Sequence, residues 1–132
     1  MTDYGPFTKR VIDYQDTVKR MVRIAVTPED WVEPLREFIA VDDFERTGPF
    51  LDVQDFRQYT EMVNGWAQGT QDFETTIRRI TEVSQRVYFE VEERHQKGST
   101  TLVVNSLNVF EFDDDGKIRH LDVFLQQPPP AG

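Results

Sequence analysis

Residues 106–126, SLNVFEFDDDGKIRHLDVFLQ, predict two β-strands joined by a short acidic turn. Apolar residues recur on both sides of DDDG at 113–116, and this tetrapeptide is typical of the tight turn of a hairpin. Asn108 stands among apolar neighbours in the first strand. A buried amide without hydrogen-bond partners costs about 1–3 kcal/mol, so Asn108 is either a structural amide or a contact for a ligand.

The sequence from 73 to 112 extends this hairpin into a four-stranded meander. Apolar and polar residues alternate from Phe73, and Ile80 breaks the phase, which predicts a β-bulge near Arg78 and Arg79. Alternation returns at 87–91, and Lys97-Gly98 forms the turn into a long strand at 100–112. The last strand runs from 118 to 126.

Three helices are predicted before the meander. One apolar face defines the first helix, from about Pro6 to Ala25: Phe7, Val11, Tyr14, Val18, Met21 and Ala25. Thr27 and Pro28 begin the second helix, and Asp52 is the expected cap of the third. A short strand is expected at 43–46. Helices followed by a meander indicate an α+β domain with the helices on one face of the sheet.

Composition narrows the classes of function. The chain has 132 residues, which fits one domain at 1–127 and a disordered proline-rich tail at 128–132. Its formal charge of −9 argues against nucleic acid as a partner, because phosphate binding needs a surplus of cations. No apolar run is long enough for a membrane span, and a cytoplasmic location is expected. With no cysteine and two histidines, neither a metal site nor a cofactor is predicted.

The order of elements, together with the hairpin motif at 106–126, resembles the nuclear transport factor 2-like superfamily, in its branch of SnoaL-like proteins and ketosteroid isomerases. The resemblance implies a cone-shaped, curved antiparallel sheet wrapped over three N-terminal helices and enclosing an apolar pocket. It also implies a small hydrophobic molecule as the ligand.

Aligned with the isomerases through DDDGKI, Asn108 falls on the position of a buried, protonated aspartic acid that donates to an enolate oxygen. An amide donates without any shift in pKa. The isomerase base falls on Gly48, so no carboxylate stands there, and Tyr14 is out of place for the phenolic donor of helix 1. Limonene epoxide hydrolases are a poorer template, because residues 90–92 (Glu-Val-Glu) and Asp122 match their acidic residues only approximately.

The resemblance selects Asn108 as a candidate catalytic donor, and Tyr59 on the predicted third helix is the reserve proton donor. An apolar wall is expected at Trp66, Phe89, Val91, Phe110, Leu121, Val123 and Leu125. Aromatic residues at helical spacing, such as Tyr59 and Trp66, fit a helix core as well as a cavity wall. Two functions remain open. One is a cofactor-independent isomerase, cyclase or dehydratase for a polyketide, steroid or terpenoid type of carbonyl or hydroxyl compound; the other is a non-catalytic binding protein or dimeric scaffold.

The remaining titratable pairs are assigned to other surfaces. His120 and Asp122 lie two residues apart on one strand, so both side chains point to the same face. Because side chains alternate between the faces of a sheet, this face is opposite the apolar wall, which indicates an outer surface rather than a catalytic dyad. A homodimer is expected through this outer face, formed by Tyr88, His120, Asp122 and Phe124. Glu93 and His95 are expected in a solvated turn.

Overall fold

The computed structural model describes residues 5–129. Three α-helices lie in this range: α1 (Pro6–Ile24), α2 (Val32–Arg36) and α3 (Phe56–Gln68). A 3₁₀ turn at Pro28–Trp31 leads into α2. The strands are β1 (Glu45–Thr47), β2 (Val53–Gln54), β3 (Asp72–Val83), β4 (Arg86–Lys97), β5 (Thr100–Phe112) and β6 (Ile118–Gln126). The predicted α+β class and four-stranded meander are confirmed.

All six strands form one curved, unclosed sheet in the order β2-β1-β6-β5-β4-β3. The four strands of the meander pair antiparallel, as expected, whereas β1 lies parallel to β6, so the sheet as a whole is mixed. The chain reaches that edge after α2, where Ile118 donates its backbone N–H to Phe38 and accepts from Ala40. This contact starts the parallel pairing of the segment with β6, before β2 turns back along β1.

The irregularities of the meander fall where the sequence places them. The register of β3 against β4 shifts between Ile77 and Arg79, which confirms the predicted bulge. Gly116 closes the β5–β6 turn with φ at +77°, a conformation that glycine adopts without steric cost. The Asp113 carboxylate accepts the backbone N–H groups of Asp115 and Lys117, so it stabilises the turn itself.

The second and third helices differ from the prediction. Helix α1 begins at the predicted Pro6, but the second helix is a 3₁₀ turn followed by only 5 helical residues. Asp55, not Asp52, caps α3 by accepting the N–H of Gln58. Asp52 was the wrong choice because it belongs to the β1–β2 turn, where its carbonyl accepts the N–H of Gly48.

Helices α1 and α3 pack on the inner face of the sheet, and the core lies between these layers. Trp31 is fully buried in it, and its indole N–H donates to the Asn64 side chain at 3.1 Å. No helix in residues 5–129 is long and apolar enough to cross a membrane. In the predicted tail, Pro128 and Pro129 are exposed beyond β6, and residues 130–132 lie outside the described range.

Candidate functional site

A cavity of about 300 Å³ lies between helices α1 and α3 and the inner face of the sheet. This volume is at the lower end of the range for small-molecule pockets, about 300–1,000 Å³. The cavity is open where its lining reaches the β4–β5 turn and the end of β6, because Lys97, Leu102 and Gln127 are exposed there. We call this end the mouth and the opposite end, at Tyr14 and Tyr59, the inner end.

The structure brings together most of the residues selected from the sequence. Both candidate donors and five of the apolar positions line the cavity: Asn108, Tyr59, Trp66, Phe110, Leu121, Val123 and Leu125. Phe89 and Val91 do not line it. They have the correct strand parity, but α1 packs against β4, and their exposed fractions are 0% and 1%. They belong to the core.

Two tyrosine hydroxyls are hydrogen-bonded to each other at the inner end. Tyr14 comes from α1 and Tyr59 from α3, and both side chains are buried. Burial raises the pKa of Tyr14 well above its ordinary value, and the neighbouring Tyr59 adds to this rise. Burial also raises the pKa of Tyr59, against the opposing effects of the Tyr14 hydrogen bond and Arg46. Both hydroxyls are therefore protonated at neutral pH, and one proton of the pair remains for a ligand.

Arg46 supplies the positive charge of the inner end. Its guanidinium carbon lies 5.7 Å from the centre of the Tyr59 ring, and its side chain is 12% exposed. Gln54 holds one guanidinium nitrogen at 3.0 Å, and the Asp52 carboxylate lies 3.7 Å away. Arg46 acts to lower the pKa of both tyrosines against the larger effect of burial, so its charge offsets part of the cost of negative charge on an oxygen atom placed there.

Asn108 lies on the inner face of β5, two residues before Phe110. Its amide nitrogen donates to the Ser106 hydroxyl at 3.0 Å, the one hydrogen bond of this side chain within residues 5–129. The amide nitrogen carries two hydrogens, so the second is available to a molecule in the cavity. Phe110 lies between Asn108 and the inner end, and its ring packs edge-on against Tyr14 with 5.6 Å between ring centres.

Glu93 and His95 line the cavity near its mouth, so the prediction of a solvated turn for them is wrong. The indole N–H of Trp66 donates to Nδ1 of His95 at 3.2 Å, and Nε2 of His95 lies 3.0 Å from the Glu93 carboxylate. Both partners are largely shielded, with side-chain exposures of 10% for His95 and 16% for Glu93. Phe73 packs on the other side of the imidazole at 5.0 Å.

The position of the isomerase base holds no carboxylate that reaches the cavity. A Cβ atom added at Gly48 would lie 2.4 Å from an oxygen of Asp52, so this carboxylate fills the space beside the glycine. Asp52 itself does not line the cavity. A proton acceptor for chemistry in the cavity must come from another element.

His120 and Asp122 lie on the outer face of the sheet, as their parity predicts. Nε2 of His120 is 2.9 Å from Asp122, and Nδ1 is 3.5 Å from Glu45 on the neighbouring strand. Phe124 is 57% exposed on the same face. Within the part of the chain that the structure describes, no group of three or more acidic or histidine side chains is arranged to hold a metal ion.

Four residues of the site were not selected from the sequence, although the sequence pattern contains a signal for three of them. Glu93 and His95 continue the parity of Val87, Phe89 and Val91, and strand alternation alone places them on the inner face. Tyr14 belongs to the apolar face predicted for helix 1. Arg46 had no such signal, because its position depends on the parallel pairing of β1 with β6.

No protein-family model and no curated protein sequence matches the chain. Solved structures do match it. A nuclear transport factor 2-like protein from Anabaena variabilis ATCC 29413 is 15% identical, with 97% of this chain and 96% of that chain covered and a TM-score of 0.74. A protein from Jannaschia sp. CCS1, provisionally assigned as a SnoaL-like polyketide cyclase, is 14% identical over 96% and 92% of the two chains, with a TM-score of 0.66.

An LEH-like epoxide hydrolase from M. tuberculosis is 20% identical over 92% of this chain and 86% of that chain, with a TM-score of 0.65. At these identities the similarity shows the fold. The chain has the nuclear transport factor 2-like fold, which confirms the fold expected from the hairpin at 106–126.

Proposed function

We propose that the protein binds a small hydrophobic molecule carrying a carbonyl or hydroxyl oxygen and acts on it as a cofactor-independent isomerase, cyclase or dehydratase. The substrate would be of the polyketide, steroid or terpenoid type. The observation that carries this proposal is the buried, protonated Tyr14–Tyr59 pair at the end of an apolar cavity.

The inner end suits an oxygen that gains negative charge during a reaction. The tyrosine pair has one proton to donate, Asn108 has a second, and Arg46 supplies a positive charge beside them. Donors fixed in a site from which water is excluded stabilise such an oxygen without reorganisation, and loss of one can cost about 10²–10³ in rate. Tyr59 and Asn108 are therefore the proposed catalytic donors.

The rest of the cavity suits an apolar body. Phe110, Leu121, Val123 and Leu125 present carbon surface, and Trp66 lies on the opposite side. The names of the structural neighbours agree in kind, since they include polyketide cyclases and an epoxide hydrolase-like protein. The substrate of this chain is part of the proposal.

The direct test is a ligand screen by thermal unfolding, with phenols and steroid-like ketones against wild type and Tyr59→Phe. A ligand present at 100 times its Kd adds about 2.7 kcal/mol of stability, which corresponds to a rise of roughly 10 °C in Tm. We expect phenols with an apolar para substituent, such as 4-tert-butylphenol, to stabilise wild type and to lose most of this effect in Tyr59→Phe. Equal stabilisation of both proteins, or of neither, would refute the proposed role of the inner end.

Gly48 favours a second candidate function, a binding protein without catalysis. The isomerase base is absent there, and the Asp52 carboxylate beside it does not reach the cavity. In this alternative the same ligands bind with the same dependence on Tyr59, and no proton transfer follows. The two functions are distinguished by catalysis of proton abstraction and not by affinity.

The proposal includes a homodimer through the outer face of the sheet. Phe124 is exposed beside the hydrogen-bonded side chains of His120 and Asp122, and an exposed aromatic residue surrounded by polar groups is typical of a protein–protein interface. Light scattering should give twice the mass of one chain, and Phe124→Asp should halve it. A single-chain mass for wild type at micromolar concentration would show that the outer face is free.

A further inference from the structure

We infer that Glu93 is the proton acceptor of this cavity, with His95 as its positioning residue and Trp66 fixing the orientation of the histidine. The inference rests on the proposed function, because it assigns the base that an isomerase, cyclase or dehydratase requires. It starts from the hydrogen-bond chain near the mouth of the cavity, Trp66–His95–Glu93.

The direction of this chain is set by the chemistry of the indole. A tryptophan side chain can only donate, so Nδ1 of His95 must accept, and the ring proton must be on Nε2. Nε2 then donates to the Glu93 carboxylate at 3.0 Å. The contact with Trp66 therefore fixes which ring nitrogen faces Glu93 and leaves the Glu93 carboxylate as the acceptor at the end of the chain.

The packing keeps the three side chains in this arrangement. The His95 ring lies between Trp66 and Phe73, with ring-centre distances of 5.6 and 5.0 Å. His95 has no ring nitrogen left for a substrate, since both are used within the protein. Glu93 has a second carboxylate oxygen and lines the cavity, so Glu93 and not His95 meets a bound molecule.

Charged groups around Glu93 are few on the inner face. Among the cavity-lining residues, His95 is its hydrogen-bonded neighbour, Lys97 lies at the open edge, and Arg46 lies at the inner end. Arg94 and Glu92 have the opposite strand parity and bond to each other on the outer face. Glu93 is thus a carboxylate in the cavity that no arginine or lysine neutralises within the described residues.

The separation of Glu93 from Asn108 constrains the substrate. Asn108 pairs with Phe89, and Glu93 is four residues further along β4, which corresponds to roughly 13 Å at about 3.3 Å per residue. A molecule that reaches both groups must carry its acidic C–H bond several bonds away from its oxygen. An elongated conjugated or fused-ring ketone meets this requirement, whereas a short α-hydroxy acid does not.

The chemical step balances without a co-reactant. Glu93 takes the proton, the C–H electron pair moves through the conjugated system, and negative charge develops on the oxygen held by Tyr59. Return of the same proton to a different carbon completes an isomerisation. Loss of a hydroxyl group as water, with the proton transferred to it, completes a dehydration.

The test uses 5-nitrobenzisoxazole, a compact substrate whose ring opens when a base removes one C–H proton. The proton passes to the base, the C–H electron pair forms the nitrile, and the N–O bond breaks to give a coloured cyanonitrophenolate. We expect wild type to catalyse this opening and Glu93→Gln to lower kcat/KM by about a hundredfold, the usual contribution of a general base. The matched control is Glu92→Gln, one residue away on the opposite face, and it should keep the wild-type rate.

Binding of 4-tert-butylphenol is measured on the same proteins and separates the two proposals. If Glu93→Gln keeps the wild-type rate, or if wild type binds the phenol but does not accelerate ring opening, the assignment of Glu93 is wrong and the ligand site stands. If ring opening depends on Glu93 but no phenol binds, the inner-end proposal fails and the base stands. Glu93→Asp, with the carboxylate withdrawn by one methylene, should give an intermediate rate and covers the case in which Glu93→Gln does not fold.

The role of His95 has its own readout. His95→Leu should lower kcat by about tenfold or more with little change in KM, because the carboxylate loses the donor that orients it. His95→Gln can accept from Trp66 and donate to Glu93, so it should restore most of kcat. Equal losses in both variants would show that the imidazole does more than position Glu93.

Discussion

The two ends of the cavity differ in hydrogen bonding: one offers donors and the other an acceptor. At the inner end Tyr14, Tyr59 and Arg46 present protons and positive charge. Near the mouth the chain from Trp66 through His95 ends in the Glu93 carboxylate, which presents lone pairs and negative charge. An apolar wall separates them. A ligand that fits is therefore polar at both ends, with an acceptor oxygen pointing inward and an acidic hydrogen pointing to the mouth.

The cost of burying charge explains why the donors lie at the inner end and the carboxylate lies near the mouth. The tyrosine hydroxyls are neutral donors, so they can be 4% and 5% exposed without the cost of burying a charge. Arg46 carries a charge but keeps Gln54 and Asp52 as partners. Glu93 is more exposed than the tyrosines and has its imidazole donor, so its charge is tolerated near the solvent. The inner end can thus be sealed by a ligand, whereas the mouth keeps access to water.

The largest effect expected from this difference is a change in the preference for anions. Arg46→Met should weaken binding of ionised 4-nitrophenol by about 10–100-fold, because a hydrogen bond or contact with a charged group contributes about 1.5–3 kcal/mol. Binding of un-ionised 4-tert-butylphenol should change much less. Calorimetric titration of both ligands measures the difference.

Lys97→Met is the control for Arg46→Met at the opposite end. Lys97 is also a cation that lines the cavity, but it is exposed at the mouth, where water screens its charge. Its removal should lower the affinity for ionised 4-nitrophenol by less than about threefold. Equal losses in the two variants would mean that net charge, and not the inner end, attracts the anion.

The second effect concerns stability at alkaline pH. The folded-state pKa values of Tyr14 and Tyr59 lie above the value of about 10 that tyrosine has in an unfolded chain. Above about pH 10 the unfolded chain therefore binds fewer protons than the folded protein, and the free energy of unfolding falls as pH rises. This contribution is complete below that pH and is lost as pH rises through the folded-state values.

Urea unfolding at several alkaline pH values measures this slope. Tyr14→Phe and Tyr59→Phe each remove one buried hydroxyl, so the double variant should show a flatter decline than wild type. An identical slope in wild type and the double variant would show that the pair ionises as freely in the folded protein as in the unfolded chain. The acceptor at the mouth is a carboxylate, so no change in the free energy of unfolding at alkaline pH is expected from that end.

Asn108 gives a smaller and more selective effect. Asn108→Ala removes one donor and its bond to Ser106, and the side chain is only half-buried, so the free energy of unfolding should change by about 1 kcal/mol or less. The affinity for 4-tert-butylphenol should fall about fivefold. Asn105→Ala, on the opposite face of the same strand, is the matched control and should leave the affinity unchanged. A loss of stability without a loss of affinity would identify Asn108 as an architectural amide.

Local sequence patterns were sufficient for the meander and for most of the wall. Strand alternation gave the faces of β5 and β6, and with them the positions of Asn108, Leu121, Val123 and Leu125 in the cavity. Alternation fixes which face a residue occupies but not what covers it. Phe89 has the correct parity and is nevertheless core, because α1 lies over that part of β4.

The inner end could not be assembled from local patterns, because its residues come from three separate elements. Tyr14 lies on α1, Tyr59 on α3 and Arg46 on β1. The parallel alignment of β1 with β6 brings Arg46 into the lining, and neither hydropathy nor alternation encodes a parallel pairing between strands so far apart in sequence. The resemblance to the isomerases did not supply these residues either, since it places the isomerase base at Gly48 and leaves Tyr14 out of place for the phenolic donor of helix 1.

Trp66→Phe tests the direction of the hydrogen-bond chain near the mouth. The substitution keeps an aromatic ring against Phe73 and removes only the indole N–H that fixes His95, so it should cost about 0.5–1.5 kcal/mol of stability. In wild type, nitrogen-15 chemical shifts of the imidazole should show a single tautomer with the proton on Nε2. In Trp66→Phe the Nδ1 atom is released from the indole, and the shifts should move towards a mixture of tautomers. A wild-type spectrum with the proton on Nδ1 would reverse the chain, because Nδ1 could then not accept from Trp66, and Glu93 would lose the donor that holds it in the cavity.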